Sequence, residues 1–261
     1  MTDDLANQLF PVHGEAVDPI ALARRDMQKQ LPRRFYQEAK AERAADGFVV
    51  QLDGKPAHTP SRQLMCVPNE ALALALAQEW NEQAEFIDPA QMPLTRMVNS
   101  ALDGVAREMD QVRAEIVKYA GSDLICYRAG EPQSLVEEQA RHWDPLLAFA
   151  HEQLGARFIC AQGIIFAEQP AAALEAIARE IETITSSLAL AALHVMTTIT
   201  GSVVIALALT RDHLSAEAAW AAAHVDEDFQ ARAWGEDAEA MARRARRWRD
   251  MQAAEQLYRL A

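Results

Sequence analysis

The chain has 261 residues, half of them hydrophobic, and carries a formal net charge of −13 at pH 7. This length allows one large domain or two modest ones, with enough apolar residues for a real core. So acidic a chain is not expected to bind nucleic acid, which requires clustered Lys and Arg, or to dock on an anionic membrane. The balance favours a partner protein with some basic surface.

The three cysteines, Cys66, Cys126 and Cys160, lie far apart and lack Cys-x-x-Cys spacing. Neither a disulfide framework nor structural zinc is expected from them, and a reducing compartment fits best. The first four residues, MTDD, have neither the apolar core of a signal peptide nor the arginines of a transit peptide. We therefore expect a bacterial cytoplasmic protein.

The N-terminal quarter of the chain predicts an irregular arm followed by a β-meander. The dipeptides Phe10-Pro11 and Asp18-Pro19 interrupt residues 1–31, and residues 20–30 could form one short helix. Residues 48–52, FVVQL, are typical of a strand, and Asp46-Gly47 and Asp53-Gly54 on either side favour tight turns. Two further strands are predicted at residues 35–36 and 64–67.

After Pro68 the apolar spacing becomes helical. Asn69, Pro93, Ser134, Pro170, Ser215 and Asp237 are expected to begin helices that together reach the C-terminus. The sequence thus predicts an α+β protein, with a small N-terminal antiparallel β domain followed by a larger all-α helical domain. The predicted boundaries are residues 1–67 for the arm and β-meander domain and residues 68–261 for the helical domain.

Residues 183–210 carry no formally charged side chain and are long enough to span a bilayer. However, His194, Thr200 and Gly201 lie near the middle of this run, and five of its apolar residues are alanine. Two short buried helices, broken near Thr200-Gly201, explain the pattern better than stable membrane insertion. A membrane-associated protein is the alternative that this run leaves open.

Motifs that would indicate catalysis are missing from the sequence. There is no His-Glu-x-x-His zinc motif, no Gly-x-Ser-x-Gly elbow, no phosphate loop and no Gly-x-Gly-x-x-Gly. His194 is expected to be a core histidine bonded to a backbone carbonyl. We expect no catalytic residues, no metal and no cofactor, and therefore a protein that is not an enzyme.

Two charged clusters and one tryptophan are candidates for contact. Residues 224–228, HVDED, are expected to be a solvated helix face with Asp228 paired to Arg232, and the arginine-rich residues 243–249 a surface helix matched to its dipole. Trp234 precedes Gly235 at a predicted helix junction, and an acidic pair follows. Trp234, Glu236 and Asp237 are therefore candidate partner-binding residues, although the acidic pair could equally cap a helix.

Several short motifs occur in a fixed order and together resemble one family. They are Arg33-Arg34-Phe35-Tyr36, Leu52-Asp53-Gly54-Lys55-Pro56 with Thr59-Pro60, Glu79-Trp80, Ile87-Asp88-Pro89, Met92-Pro93-Leu94-Thr95-Arg96, YAGSDLICYR at residues 119–128, Trp143-Asp144-Pro145-Leu146, and Phe229-Gln230 with Trp234-Gly235. In this order they resemble the assembly chaperones of the F-type ATP synthase head that hold the alpha subunit, the Atp-twelve family.

The resemblance implies a function that the residues alone do not give. It implies a chaperone that binds the unassembled alpha subunit and prevents its aggregation until the beta subunit replaces it. It also implies a small β domain joined to a larger helical domain, with eukaryotic relatives in the mitochondrial matrix. The alternative is a small-molecule enzyme with its pocket between the β and helical domains.

Overall fold

The computed structural model describes residues 31–163, 165–235 and 237–261. In these residues a small antiparallel sheet precedes ten α-helices, so the predicted α+β class is confirmed. The short helix predicted within residues 20–30 lies outside the described residues.

The sheet has four strands and is antiparallel throughout. Strand β2 lies at its centre and pairs with each of the other three. Asp53 and Gly54 join β2 to β3 with φ angles of 47° and 79°, so both residues of this two-residue turn are left-handed, as Asp-Gly favours. The strands are β1 (Ala39–Ala44), β2 (Gly47–Leu52), β3 (Lys55–Pro56) and β4 (Cys66–Val67).

The strand predicted at residues 35–36 is wrong, because side chains take the hydrogen bonds that a neighbouring strand would supply. The Arg34 guanidinium donates to the carbonyl oxygens of Tyr36 and Gln37 at 3.1 and 2.6 Å. The Asp53 carboxylate accepts from the backbone N–H groups of Gln37 and Glu38 at 2.9 Å. With its polar groups satisfied in this way, the segment runs beside the sheet without joining it.

The helical part begins directly after the sheet. Asn69 caps the first helix through a 3.0 Å bond from the Leu72 N–H, as predicted. The helices are α1 (Glu70–Asn81), α2 (Pro93–Asp103), α3 (Met109–Ala120), α4 (Gln133–Leu154), α5 (Ala171–Glu182), α6 (Ser187–Thr200), α7 (Val203–Thr210), α8 (Ala216–Ala223), α9 (Val225–Trp234) and α10 (Ala238–Leu260). Three 3₁₀ turns, Pro89–Gln91, Val105–Arg107 and Leu124–Cys126, connect some of them.

The uncharged run of residues 183–210 forms the two buried helices that the sequence predicts. Helix α6 ends at Thr200, Gly201 follows with φ 67°, and Ser202 caps α7 through a 3.0 Å bond from the Ile205 N–H. Helix α7 is buried on all sides from Val203 to Leu209, which explains why it shows no polar stripe. Among the described residues, no helix is long and apolar enough to cross a membrane.

Helix α1 packs on the sheet through β1 and β2, and Leu72 and Leu76 are fully buried on its sheet-facing side. A two-stranded parallel pair, β5 (Tyr127–Arg128) and β6 (Ala161–Gln162), lies within the otherwise helical part. The division into residues 1–67 and 68–261 stays a prediction. The packing of α1 places the first helix of the second part against the sheet of the first.

Candidate protein-interaction surfaces

The junction between α9 and α10 exposes a tryptophan. Trp234 ends α9 with 88 % of its surface exposed, and Gly235 turns the chain with φ 87°. Asp237 is also exposed and caps α10, accepting from the Ala240 N–H at 3.0 Å. Glu236 lies outside the described residues. Of the three predicted contact residues, Trp234 is therefore free of a structural role in the core, whereas Asp237 has one as a helix cap.

The charged clusters near this junction hold α9 to its neighbours. Arg232 pairs with Glu138 of α4 at 2.5 Å, and Asp228 pairs with Arg244 of α10. The predicted pair between Asp228 and Arg232 is therefore wrong. Helices α4 and α10 supply the partners, and spacing within α9 alone does not predict them. Most of the acidic cluster is used within the molecule.

His224 lies buried behind the acidic cluster. Its ring lies 3.9 Å from the Trp220 ring, and its Nδ1 lies 2.8 Å from the Trp220 carbonyl oxygen, which fits an N–H donor. Burial lowers the pKa of the imidazole, which favours the neutral ring. These contacts fit a structural histidine.

An apolar groove of about 400 Å³ lies between α2, α6 and α10. Its walls are Pro93 and Met97 of α2, Val105 of the following 3₁₀ turn, and Val195 and Ile199 of α6. Leu94 and Val98 directly follow Pro93 and Met97, so they lie about 100° around α2 from them, and they are buried in the core. Helix α2 thus has a wide apolar stripe, of which one side packs in the core and the other side lines this groove.

Charged residues border the groove. Arg96 pairs with Asp250 of α10 at 2.6 Å, and His194 Nε2 lies 3.7 Å from a Glu115 carboxylate oxygen. The prediction that His194 is a core histidine bonded to a carbonyl is wrong, because its side chain is about one third exposed and faces the groove. The apolar neighbours of His194 in the sequence line the groove beside it, and they leave its side chain partly exposed.

A second cavity, of about 350 Å³, adjoins the groove and shares Arg96 and Asp250 with it. Arginines from the first half of α10 line most of it, and Glu239 pairs with one of these, Arg243, at 2.6 Å. The remaining two arginines of this cavity are Arg246 and Arg247. This half of α10 is largely exposed.

A half-buried carboxylate on α1 fixes the position of α2. Glu79 accepts from the backbone N–H groups of Leu94 and Thr95, both at 2.7 Å, and so caps the first turn of α2. Burial raises the pKa of Glu79, and these two hydrogen bonds oppose the rise. The Glu79-Trp80 and Pro93-Leu94-Thr95 motifs therefore act together in folding.

Asp123 and Arg128 also have internal roles. Asp123 is fully buried and accepts from the Ile125 and Val204 N–H groups at 3.3 and 3.2 Å. Burial raises its pKa to about 6. Arg128 pairs with Asp144 at 2.7 Å and lies over the Trp143 ring. These family-like motif residues hold the fold together.

Within the described ranges, no group of three His, Cys, Asp or Glu side chains is placed to hold a metal ion. Burial raises the pKa of the Cys126 thiol, which disfavours the thiolate that a nucleophile needs. The groove and the α9–α10 junction combine apolar walls, an exposed aromatic ring and charged borders, which are features of protein-binding surfaces.

Comparisons with known proteins agree with this class of fold. A family model described as ATP12 chaperone protein matches residues 33–151. The crystal structure of Atp12 from Paracoccus denitrificans is similar with a TM-score of 0.81 and 40 % identity, covering 88 % of this chain and 98 % of that one. The Atu1473 protein of Agrobacterium tumefaciens has a TM-score of 0.85 and 44 % identity, covering 98 % and 94 % of the two chains.

A curated relative is more distant. The protein named atp12, mitochondrial, of Schizosaccharomyces pombe is 26 % identical over 215 residues, which is 78 % of this chain and 74 % of the relative. On these similarities the chain belongs to the ATP12 chaperone family, and the predicted resemblance is confirmed.

The sequence did not reveal the apolar groove or the arginine-lined cavity. Their residues come from α2, α6 and α10, which are more than 100 positions apart at the extremes. The only local signal was the width of the apolar stripe on α2, where Pro93 and Met97 lie beside the core-facing Leu94 and Val98.

Proposed function

We propose that this protein is an assembly chaperone of the F-type ATP synthase that binds the unassembled alpha subunit. In this role it would prevent aggregation of the alpha subunit until the beta subunit replaces it. The observation that supports the proposal most directly is the 40 % identity to Atp12 from Paracoccus denitrificans over 98 % of that chain.

The physical logic of such a chaperone is consistent with the surface of this molecule. An unpaired subunit of a ring exposes an apolar interface, which is an aggregation liability until the next subunit covers it. A chaperone must cover this area and leave again, so mixed apolar and charged contacts suit it better than an obligate interface. The exposed Trp234 and the groove between α2 and α6 offer contacts of this kind.

We propose Trp234, Glu236 and Asp237 as part of the contact with the alpha subunit. The 88 % exposure of Trp234 supports this, because an aromatic side chain that contributes nothing to the core can serve as an interface anchor. Asp237 has the competing explanation of capping α10.

The experiment is co-purification of the full chain with isolated alpha subunit and, separately, with the assembled catalytic head. We expect the alpha subunit alone to be retained, since assembly must displace a chaperone. Equal retention of both would contradict the proposal. Light scattering of diluted alpha subunit, with and without the chain, measures aggregation directly.

We also propose that the protein works in the cytoplasm of a bacterium. The three cysteines are free, which fits a reducing compartment. The alternative of a small-molecule enzyme has no specific observation in its favour among the described residues.

A further inference from the structure

We propose that the apolar groove between α2 and α6, together with the adjoining arginine-lined cavity, binds one amphipathic helix of the client, acidic at one end. This inference rests on the proposed chaperone function and specifies the kind of client segment that is held. The two cavities adjoin, because the Arg96–Asp250 ion pair lines both of them, and together they are called the track.

The apolar part of the track determines the first property of the client segment, an apolar stripe. Val105, Val195 and Ile199 are half-buried and line the groove. A groove between helices with such walls accepts the side chains of an amphipathic helix at i, i+3, i+4 and i+7, a common mode of helix recognition. A nucleic acid offers no such stripe, and the net charge of the chain, −13, opposes its binding.

The arginine-lined cavity determines the second property of the client segment, acidic residues at one end. Four guanidinium groups, those of Arg96, Arg243, Arg246 and Arg247, and one carboxylate, that of Asp250, line the second cavity. Arg96 pairs with Asp250, Arg243 pairs with Glu239, and Arg247 lies 3.9 Å from Glu227, so three of the four guanidinium groups have a carboxylate nearby. Among the described residues no carboxylate lies within 4 Å of the Arg246 guanidinium.

This arrangement is unusual for the molecule as a whole. In a chain with 38 acidic and 25 basic residues, this cavity brings four arginines together, and among the described residues Arg246 is the one of them without a carboxylate within 4 Å. Guanidinium groups bind carboxylates in paired geometry, so Asp and Glu at one end of the client helix are the complementary chemistry. The remaining acidic surface would repel the same segment elsewhere, which fixes its position and direction.

The first arm of the test measures capture of alpha subunit by full-length variants. Val195→Glu changes the groove wall and Arg246→Glu changes the cavity. Leu74→Glu and Arg141→Glu are matched controls, because Leu74 is 54 % exposed on α1 and Arg141 is exposed on α4. We expect the first two variants to capture at least about tenfold less, with melting temperatures like those of their controls. Wild-type capture by both groove variants would overturn the inference and leave the proposed function intact.

The second arm identifies the occupant. A photoreactive benzoylphenylalanine in place of Ser100, which is exposed at the groove, is irradiated with alpha subunit present. We expect cross-links to a client segment with apolar residues at helical spacing and Asp or Glu at one end. Cross-links only to the N-terminal arm of this chain or to a second copy, or no cross-link from a complex that still contains alpha subunit, would overturn the inference.

The third arm separates the two proposals. A labelled 18-residue model helix with a leucine stripe and a glutamate end is titrated onto the chain, beside the same helix with lysines replacing the glutamates. Binding of the acidic helix to wild type, lost in Val195→Glu and Arg246→Glu, supports the groove even if alpha subunit is not captured. Equal binding of the lysine helix would overturn the inference regardless of the alpha-subunit result.

Discussion

Asp123 is a single residue that joins two separated parts of the helical core. Its carboxylate accepts from the N–H groups of Ile125, in a 3₁₀ turn, and Val204, in the first turn of α7. A buried carboxylate is costly to ionise, and here only hydrogen bonds offset the cost. Its pKa is accordingly raised from 3.8 to about 6.

This shift predicts a pH dependence of stability. Because the folded-state pKa exceeds the unfolded value, protonated Asp123 is favoured in the fold. Its stabilising contribution is fully present below pH 3.8 and is lost as the pH rises through about 6. The amide introduced by Asp123→Asn cannot titrate, so the stability difference between wild type and this variant should grow by about 1 kcal/mol in favour of wild type from pH 7 to pH 5. Urea unfolding of both proteins at the two pH values measures this, and a constant difference would contradict it.

Substitutions of the junction residues Trp234 and Asp237 should affect different properties, binding in one case and stability in the other. Trp234→Ala removes an exposed ring, so melting should be unchanged while alpha-subunit binding weakens. Asp237→Ala removes the cap of α10 and should lower stability by about 1 kcal/mol. Calorimetry and co-purification separate the two effects. If Trp234→Ala binds alpha subunit as wild type does, the junction is not the contact surface, and the groove becomes the leading candidate.

At the scale of an element, α6 and α7 show how a hydrophobic run is divided without a charge. Gly201 takes a left-handed conformation that costs other residues more, and Ser202 supplies the next cap. The hydroxyl of Thr200 bonds back to the Met196 carbonyl at 2.8 Å. These three residues close one helix and open another within the core.

Helix α7 should therefore be intolerant of charge. Val204 is fully buried, so Val204→Lys places an unpaired ammonium in the core and should cost several kcal/mol, or prevent folding. Thr198→Lys, on the exposed side of α6, is the matched control and should change stability by less than about 0.5 kcal/mol. Denaturant midpoints compare them. Equal midpoints would indicate that α7 is not enclosed as described.

At the scale of the whole molecule, the sheet and the helices depend on each other. A four-stranded sheet with two strands of only two residues buries little by itself. Helix α1 covers it with Leu72 and Leu76, and Asn81 bonds both the N–H and the carbonyl of Ala39 at 2.8 Å. Helix α1 also packs against α2 and α10, but its contact with β1 and β2 is more extensive.

Division of the chain between residues 67 and 68 should consequently expose the sheet-facing side of α1. We expect a fragment of residues 68–261 to melt at a lower temperature than the full chain and to aggregate, with recovery when residues 31–67 are co-expressed. Thermal melting and size-exclusion chromatography check this. A fragment as stable and monodisperse as the full chain would instead support two independently folded domains.

The sequence by itself determined features that depend on neighbouring residues. Asp53-Gly54 specified its turn, Asn69 its cap and Gly201 the break between α6 and α7, because these effects depend on local backbone geometry and hydrogen bonds. The ordered motifs also indicated the family, which the comparisons confirmed.

Only the tertiary structure decided which charges pair and which apolar faces stay open. Asp228 pairs with Arg244 instead of Arg232, and Arg96 with Asp250, 154 positions away, because neighbouring helices compete for each charge. Similarly, α2 has a wide apolar stripe, and only the packing of α6 and α10 determines that one side of it lines an open groove. The spacing of residues within one helix does not predict such partners, because the tertiary fold brings them together from distant parts of the chain.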